Sequence, residues 1–189
     1  MDIRRFFFKH RGFTPVPFIL AALILARPTW LSYCLGLAVV LAGECIRFRG
    51  VSYSGRSTRT VKVGGSRLVT AGPYSHVRNP LYIGNFFMAI GWTIMGWPWM
   101  PWMALIVLVF FAVQYHFIVD LEEEFLSGKF GAVYETYRQA VPAWIPRLRP
   151  WPEAEPMAPD WKTAFRSERN TFQAIAVIAA LILLRWKLL

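Results

Sequence analysis

Four acids fall within five residues, Asp120, Glu122, Glu123 and Glu124, directly after an apolar run that ends at Val119. Carboxylates at the end of a membrane-length run cost insertion energy unless they face water or a partner. Two readings of them stand side by side. At a helix N-terminus they complement the macrodipole, and in a pocket they recognise a cation. His116 precedes Asp120 by one helical turn, which makes the two a candidate catalytic pair. His116 and His76 are the candidate substrate contacts, since a histidine both takes protons and donates hydrogen bonds near neutral pH. No set of His, Cys, Asp and Glu has metal-ligand spacing, so no metal site is expected.

A second group lies in residues 67–84, the one long stretch that mixes turn formers, cations, a histidine and tyrosines. Arg78 carries a planar fork suited to a carboxylate or phosphate. Asn79-Pro80 signals a turn and the first residue of a helix. Tyr74 and Tyr82 flank that turn, either as interfacial tyrosines or as cavity walls. A polar, proline-broken segment at a membrane boundary must have its backbone groups satisfied, so it should be packed in protein or line a cavity.

The elements that must position these residues follow from apolar runs. The chain has 189 residues, 56% hydrophobic and only 17% charged, against roughly 25% charged in a soluble domain. An all-α, polytopic membrane protein is expected, with about five transmembrane helices and a cytoplasmic amphipathic helix. Residues 1–12 pair cations with Phe6-Phe7-Phe8, an interfacial anchor. Helices are predicted over 13–26, 30–46, 81–97 and 102–119, with Thr29 as the second helix's N-cap. A separate amphipathic helix opens on the acids at 120–124 and runs to about Gln139. Residues 147–170, rich in proline, read as a surface linker, and 172–184 as a last, short apolar helix. Thr60–Val63 alternates as a brief extended segment would. The whole is one membrane domain: hairpin and loop over 13–59, core over 60–146, linker over 147–170 and terminal helix over 171–189. Cys34 and Cys45 share a face of one helix and read as packing residues.

The net charge of +10 does not point to nucleic acid, because the cations are confined to loops between apolar runs. Four lie in residues 1–12, seven in 47–80 and seven in 120–170, with one in the turn between the first and second helices and none between the third and fourth. The positive-inside rule then puts the N-terminus, the 47–80 loop and the 120–170 segment on the cytoplasmic side of an integral membrane protein, with a bacterial inner membrane expected. Both polar groups thus meet at one membrane surface.

Leu68-Val-Thr-Ala-Gly-Pro-Tyr74, Val77-Arg-Asn-Pro-Leu-Tyr-Ile-Gly84, and then Glu122-Glu123, Leu126, Phe130-Gly131, Tyr134, Tyr137, Val141 and Pro146 resemble the isoprenylcysteine carboxyl methyltransferase family, which is related to the phospholipid N-methyltransferases. The likeness covers residues 60–146, two blocks in order. It implies an integral-membrane enzyme that uses S-adenosyl-L-methionine on a lipophilic or lipidated substrate, with membrane lipid as its surroundings. By position, Leu68, Val69, Tyr74, Arg78, Asn79, Pro80, Leu81, Tyr82, Glu122 and Glu123 would hold the cofactor. A family acid falls on Asp120, and a substrate-binding arginine of eukaryotic members falls on His116. The family's Arg-His-Pro reads Arg78-Asn79-Pro80 here. With histidine at 116 and four acids nearby, a neutral or cationic nucleophile is favoured. A phospholipid N-methyltransferase is the alternative enzyme, and a scaffold that binds anionic lipid through its basic loops is the alternative of another class.

Overall fold

The computed structural model describes residues 2–55 and 67–188, and the expected extended segment at Thr60–Val63 lies outside them. Every regular element among the described residues is helical. Asp2 starts α1 (Ile3–His10) by accepting from the Arg4 amide at 3.0 Å. After a turn comes α2 (Val16–Ile24), then α3 (Trp30–Ser54), which opens on the predicted Thr29 cap. Thr29 and Ser32 exchange side-chain and backbone hydrogen bonds, satisfying two of the free N–H groups at the helix start. A 3-10 turn at Gly72–Ser75 leads to α4 (Pro80–Gly96), which has proline at its first position, where no N–H is needed. Then follow α5 (Trp102–Phe130), α6 (Ala132–Ala140) and α7 (Trp161–Lys187).

Three helices run well past the apolar stretch that marks them in the sequence. α3 continues through Arg47 and Arg49 to Ser54, α7 begins at Trp161 rather than 172, and α5 carries straight on through the acids. The acids therefore do not cap a new helix. The break comes only at Gly131, whose φ of 55° suits a residue without a Cβ. Of the surface linker expected at 147–170, residues 161–170 belong to α7, and residues 141–155 are held by hydrogen bonds. The latter lie along the 70–79 segment, with Arg78 N–H donating to the Pro142 carbonyl at 2.9 Å, Arg147 N–H to His76 at 3.0 Å and Trp151 N–H to Ser75 at 2.9 Å. Proline-rich chain cannot form a helix, so its backbone groups pair across the turn instead.

α4 is the centre. α3 covers one of its faces and α5 the other; α7 packs on α3, α1 on α5, and α2 reaches both α4 and α7. Along the α3–α4 contact the glycines pair antiparallel, Gly36 with Gly91 and Gly43 with Gly84. Cys34 and Cys45, expected as packing residues, lie off this packed face and are exposed. Among the described residues, α3, α5 and α7 are long and apolar enough to cross a membrane, and the protein is an integral membrane protein. By that measure three spans stand where five were expected. α4 has 17 residues and α2 has nine, about 26 Å and 14 Å of helix, against a hydrocarbon core of about 30 Å.

Candidate functional site

Between α4 and α5, and roofed by α1, α2 and α7, lies a cavity of about 790 Å³. All ten residues that the resemblance assigns to the cofactor line it: Leu68, Val69, Tyr74, Arg78, Asn79, Pro80, Leu81, Tyr82, Glu122 and Glu123. They arrive from two separate stretches because α5 stays helical past Val119. Phe111, Tyr115, Glu122 and Leu126 recur on the face turned to α4.

The polar end of the cavity is tightly wired. Arg78 donates from Nε and Nη2 to Glu123 at 3.0 and 2.7 Å, and from Nη1 to the carbonyls of Arg138 and Val141 at 2.8 and 2.6 Å. Arg138 also pairs with Glu123 at 3.3 Å. Arg78 is thus committed to holding the end of α6 on α5, and it presents the cavity with a guanidinium already neutralised. Asn79 donates to the Ala143 carbonyl at 3.2 Å. The Tyr82 hydroxyl donates to Glu122 at 2.7 Å, and Arg11 of the α1–α2 turn approaches the same carboxylate at 3.6 Å. Tyr137 donates to the Tyr74 carbonyl at 2.8 Å. Burial pushes the Tyr74 phenol up to about 12 and those of Tyr134 and Tyr137 higher still. All three therefore stay neutral near pH 7 and offer ring faces and hydroxyl donors, not charge.

The other end is apolar: Met88, Ala89 and Trp92 of α4, Phe111 of α5, Val16 and Ile19 of α2, and Ile175 and Ile178 of α7. Arg47, Asn85, Tyr115 and Thr171 form a polar band between the two ends.

His116, Asp120 and His76 are not brought to this cavity. His116 and Asp120 lie on the outer face of α5, about 100° and 200° around the helix from Tyr115 and Glu122, and both are exposed. Asp120 and Glu124 instead hold Arg4 of α1, at 2.9 and 2.6 Å. His76 has its Nδ1 2.8 Å from the Arg147 carbonyl, a bond that ties the turn to residues 141–160. The expectation of four acids in one pocket is corrected in the same way: two face the cavity, each beside an arginine, and two face α1. Among the described residues, no group of three or more His, Cys, Asp and Glu is placed to hold a metal ion.

Sequence reasoning passed over Arg11, Arg47, Asn85 and Tyr115. One signal was there for Arg47: Gly36, Val40, Gly43 and Arg47 recur at i, i+4, i+7 and i+11, so the arginine continues the packed face of an apolar helix.

The family model described as phospholipid methyltransferase matches residues 31–133. Protein-S-isoprenylcysteine O-methyltransferase B of Arabidopsis thaliana is 32% identical over 123 residues, 62% of this chain and 60% of that protein. The cobalt-zinc-cadmium resistance protein CzcN of Cupriavidus metallidurans is 33% identical over 70% of this chain and 61% of its own length. The human protein-S-isoprenylcysteine O-methyltransferase is 33% identical over 66% of this chain and 44% of its own length. The chain thus spans less than two thirds of the length of each of these relatives. No solved structure matches it.

Proposed function

The chain belongs to the phospholipid methyltransferase family, and from that premise we propose that it transfers a methyl group from S-adenosylmethionine to a lipophilic acceptor, in the manner of the isoprenylcysteine carboxyl methyltransferases. The observation that carries this reading is the convergence of ten residues from two distant stretches on a single cavity with one polar and one apolar end.

The polar end suits the cofactor. The Tyr74, Tyr82, Tyr134 and Tyr137 rings line it, and aromatic faces attract a cationic sulfonium and stack on a base. Glu122, hydrogen-bonded to Tyr82, is the carboxylate offered to an ammonium group. Arg78, Asn79 and Glu123 fix the wall rather than reach across it. When bound, S-adenosylmethionine supplies an electrophilic methyl on a positively charged sulfur. The protein's contribution is then to hold the acceptor in line with it and to exclude water, since such a displacement needs orientation more than covalent help. The apolar end receives the acceptor's tail.

Cation placement supports a cytoplasm-facing site in a bacterial inner membrane. The close packing of α4 on α3 supports a fourth membrane-embedded helix, with α2 reaching only part way.

All three histidines lie outside the cavity lining. An acceptor that arrives as an anion needs no base, which favours a carboxylate over an amine; an aminolipid would have to lose its proton to Glu122. The test is binding and transfer together. Purified protein should gain thermal stability with S-adenosylmethionine and with its demethylated product, and Glu122→Gln should weaken both about tenfold or more, equivalent to about 1.4 kcal/mol. Glu124→Gln, on the outer face of α5, should not. Absence of any shift with wild-type protein would favour the lipid-binding scaffold. Lipid extracts from cells with and without the protein separate a carboxylate acceptor from an aminophospholipid.

A further inference from the structure

α1 has eight residues, and isolated helices shorter than about 12–15 residues are marginal in water. It presents two faces. The inner face is seated on α5. Arg4 reaches Asp120 and Glu124 at 2.9 and 2.6 Å, Phe7 stacks on Phe117 with ring centres 5.6 Å apart, and Phe8 is buried in one cluster with Phe111 and Ile118. Through this seat Phe8, with Arg11 and Gly12 of the following turn, forms part of the cavity wall. The outer face is uncovered. Ile3 and Phe6 are exposed. The Arg5 side chain is 80% exposed, with Asp2 at 3.9 Å, and Lys9 follows one turn later, also exposed.

The seat by itself is weak. Both acids that take Arg4 are more than half exposed, so solvent screens the pair and it adds little stability. The seat also covers an unsatisfied polar group. Gln114 of α5 stands one turn from Phe110, which meets Phe18 of α2, and one turn from Phe117, which meets Phe7 of α1. It is 1% exposed, and neither its side-chain oxygen nor its nitrogen has a hydrogen-bond partner among the described residues. An amide buried in this way loses its hydration with nothing in return, which offsets part of what the aromatic contacts gain. The turn between α1 and α2 is loosely packed at Gly12, where an added Cβ would meet nothing within 4 Å.

We propose that anionic lipid headgroups supply the missing hold: the outer face of α1 docks on them, and this keeps α1 closed over the cavity. The partner follows from place and charge. Asp120, which takes Arg4, comes directly after the apolar run of membrane-length α5, so α1 sits where hydrocarbon gives way to headgroups. Phe13 of the next turn and Leu20 and Ile24 of α2 are also exposed apolar side chains of this integral membrane protein. Cations beside apolar side chains on one helix face match an anionic bilayer surface, with Arg5 and Lys9 among the headgroups and Ile3 and Phe6 beneath them. Arg4 and Phe8 point the other way, so lipid and α5 hold α1 at the same time. With α1 seated, Phe8 and Arg11 stay against the polar end of the cavity, and a bound cofactor leaves more slowly. As regulation of that site the proposal rests on the methyltransferase reading; as a docking surface it stands apart from it.

The test places full-length protein in nanodiscs of phosphatidylcholine or of an equal mixture with phosphatidylglycerol. In the anionic bilayer, hydrogen exchange at residues 3–10 should slow about tenfold, and release of S-adenosylhomocysteine should slow about threefold or more. Arg5→Glu reverses a charge of the outer face and lies outside the cavity lining. It should abolish both lipid effects yet bind S-adenosylhomocysteine as wild type does in phosphatidylcholine. Ile3→Ser should reduce both effects. Gln114→Leu, which removes the unsatisfied amide, should slow exchange at 3–10 even in phosphatidylcholine. Equal exchange at 3–10 in the two bilayers would overturn the proposal, as would an Arg5→Glu variant that responds like wild type. Inorganic phosphate added to the neutral bilayer should change nothing; if it reproduced the effect, the partner would be an ion and not a membrane surface. Protection that tracked the number of protein copies per nanodisc instead of the lipid would give the outer face to a second copy, and the proposal would fall. Lipid-dependent exchange at 3–10 in a wild type that binds no S-adenosylhomocysteine would keep the docking surface and sink the methyltransferase reading.

Discussion

The two faces of α4 are held in opposite ways. Toward α3 the backbones touch: a Cβ on Gly36 would stand 2.2 Å from the Met95 nitrogen, and one on Gly43 would stand 2.6 Å from the Gly84 oxygen. Toward α5 the same helix stands back from its neighbour, with Tyr82, Asn85 and Ala89 facing the cavity. In lipid no hydrophobic force drives helices together, so close backbone approach and dispersion must do so. A void needs the reverse, walls tied at a distance by long polar side chains. Arg78 with Glu123 and Tyr82 with Glu122 are those ties at the polar end, and Arg47 with Glu168 ties the wall behind. Small residues therefore mark where this molecule is structural, and buried ion pairs mark where it is hollow.

That contrast can be broken. Gly43→Leu or Gly91→Leu puts a side chain into a backbone contact that no rotamer relieves. Each should cost about 3 kcal/mol or more and abolish the cooperative thermal transition in detergent, followed by tryptophan fluorescence. Retention of that transition would mean that the α3–α4 contact is not what holds the fold. Arg78→Met acts on the other face. It leaves Glu123, only 15% exposed in its side chain, with Arg138 alone, and should cost about 3 kcal/mol. Hydrogen exchange should rise first at residues 134–143, where the Arg78 ties end, while α3 stays protected.

Thr29→Ala removes one half of the cap at the start of α3 and should cost about 1 kcal/mol in a chemical unfolding titration without altering the cavity. The smallest effect is the control on the glycines. A Cβ on Gly128, near the end of α5, would meet nothing within 4 Å, so Gly128→Ala should stabilise by about 0.5–1 kcal/mol. If it destabilised as Gly43→Leu does, glycine would be valued here for something other than close approach.

Much of this was legible in the residues. Apolar runs gave the helices of the bundle and Thr29 its cap, because those signals are local. The two blocks over 68–82 and 122–123 gave ten residues that meet at one cavity, because each block holds its own turn or helix face. The ends of α3, α5 and α7 were not legible. Hydropathy stops where polar residues begin, at Arg47, Asp120 and before Phe172, but each helix continues because those polar groups find partners on other elements. His116 and Asp120 were adjacent in sequence to the acids that matter and still face away from the cavity, because one residue turns a helix by 100°.

The sequence by itself determined the class, the helices, the basic loops and the two blocks, since period, composition and turn chemistry act within a few residues. Only the tertiary structure decided which carboxylates face inward, that residues 141–160 strap the 70–79 turn, and that α7 brings Glu168 to Arg47 across 121 positions of chain. Which way a charged side chain points is set by the nearest group able to neutralise it in low dielectric, and such partners here lie far away in sequence.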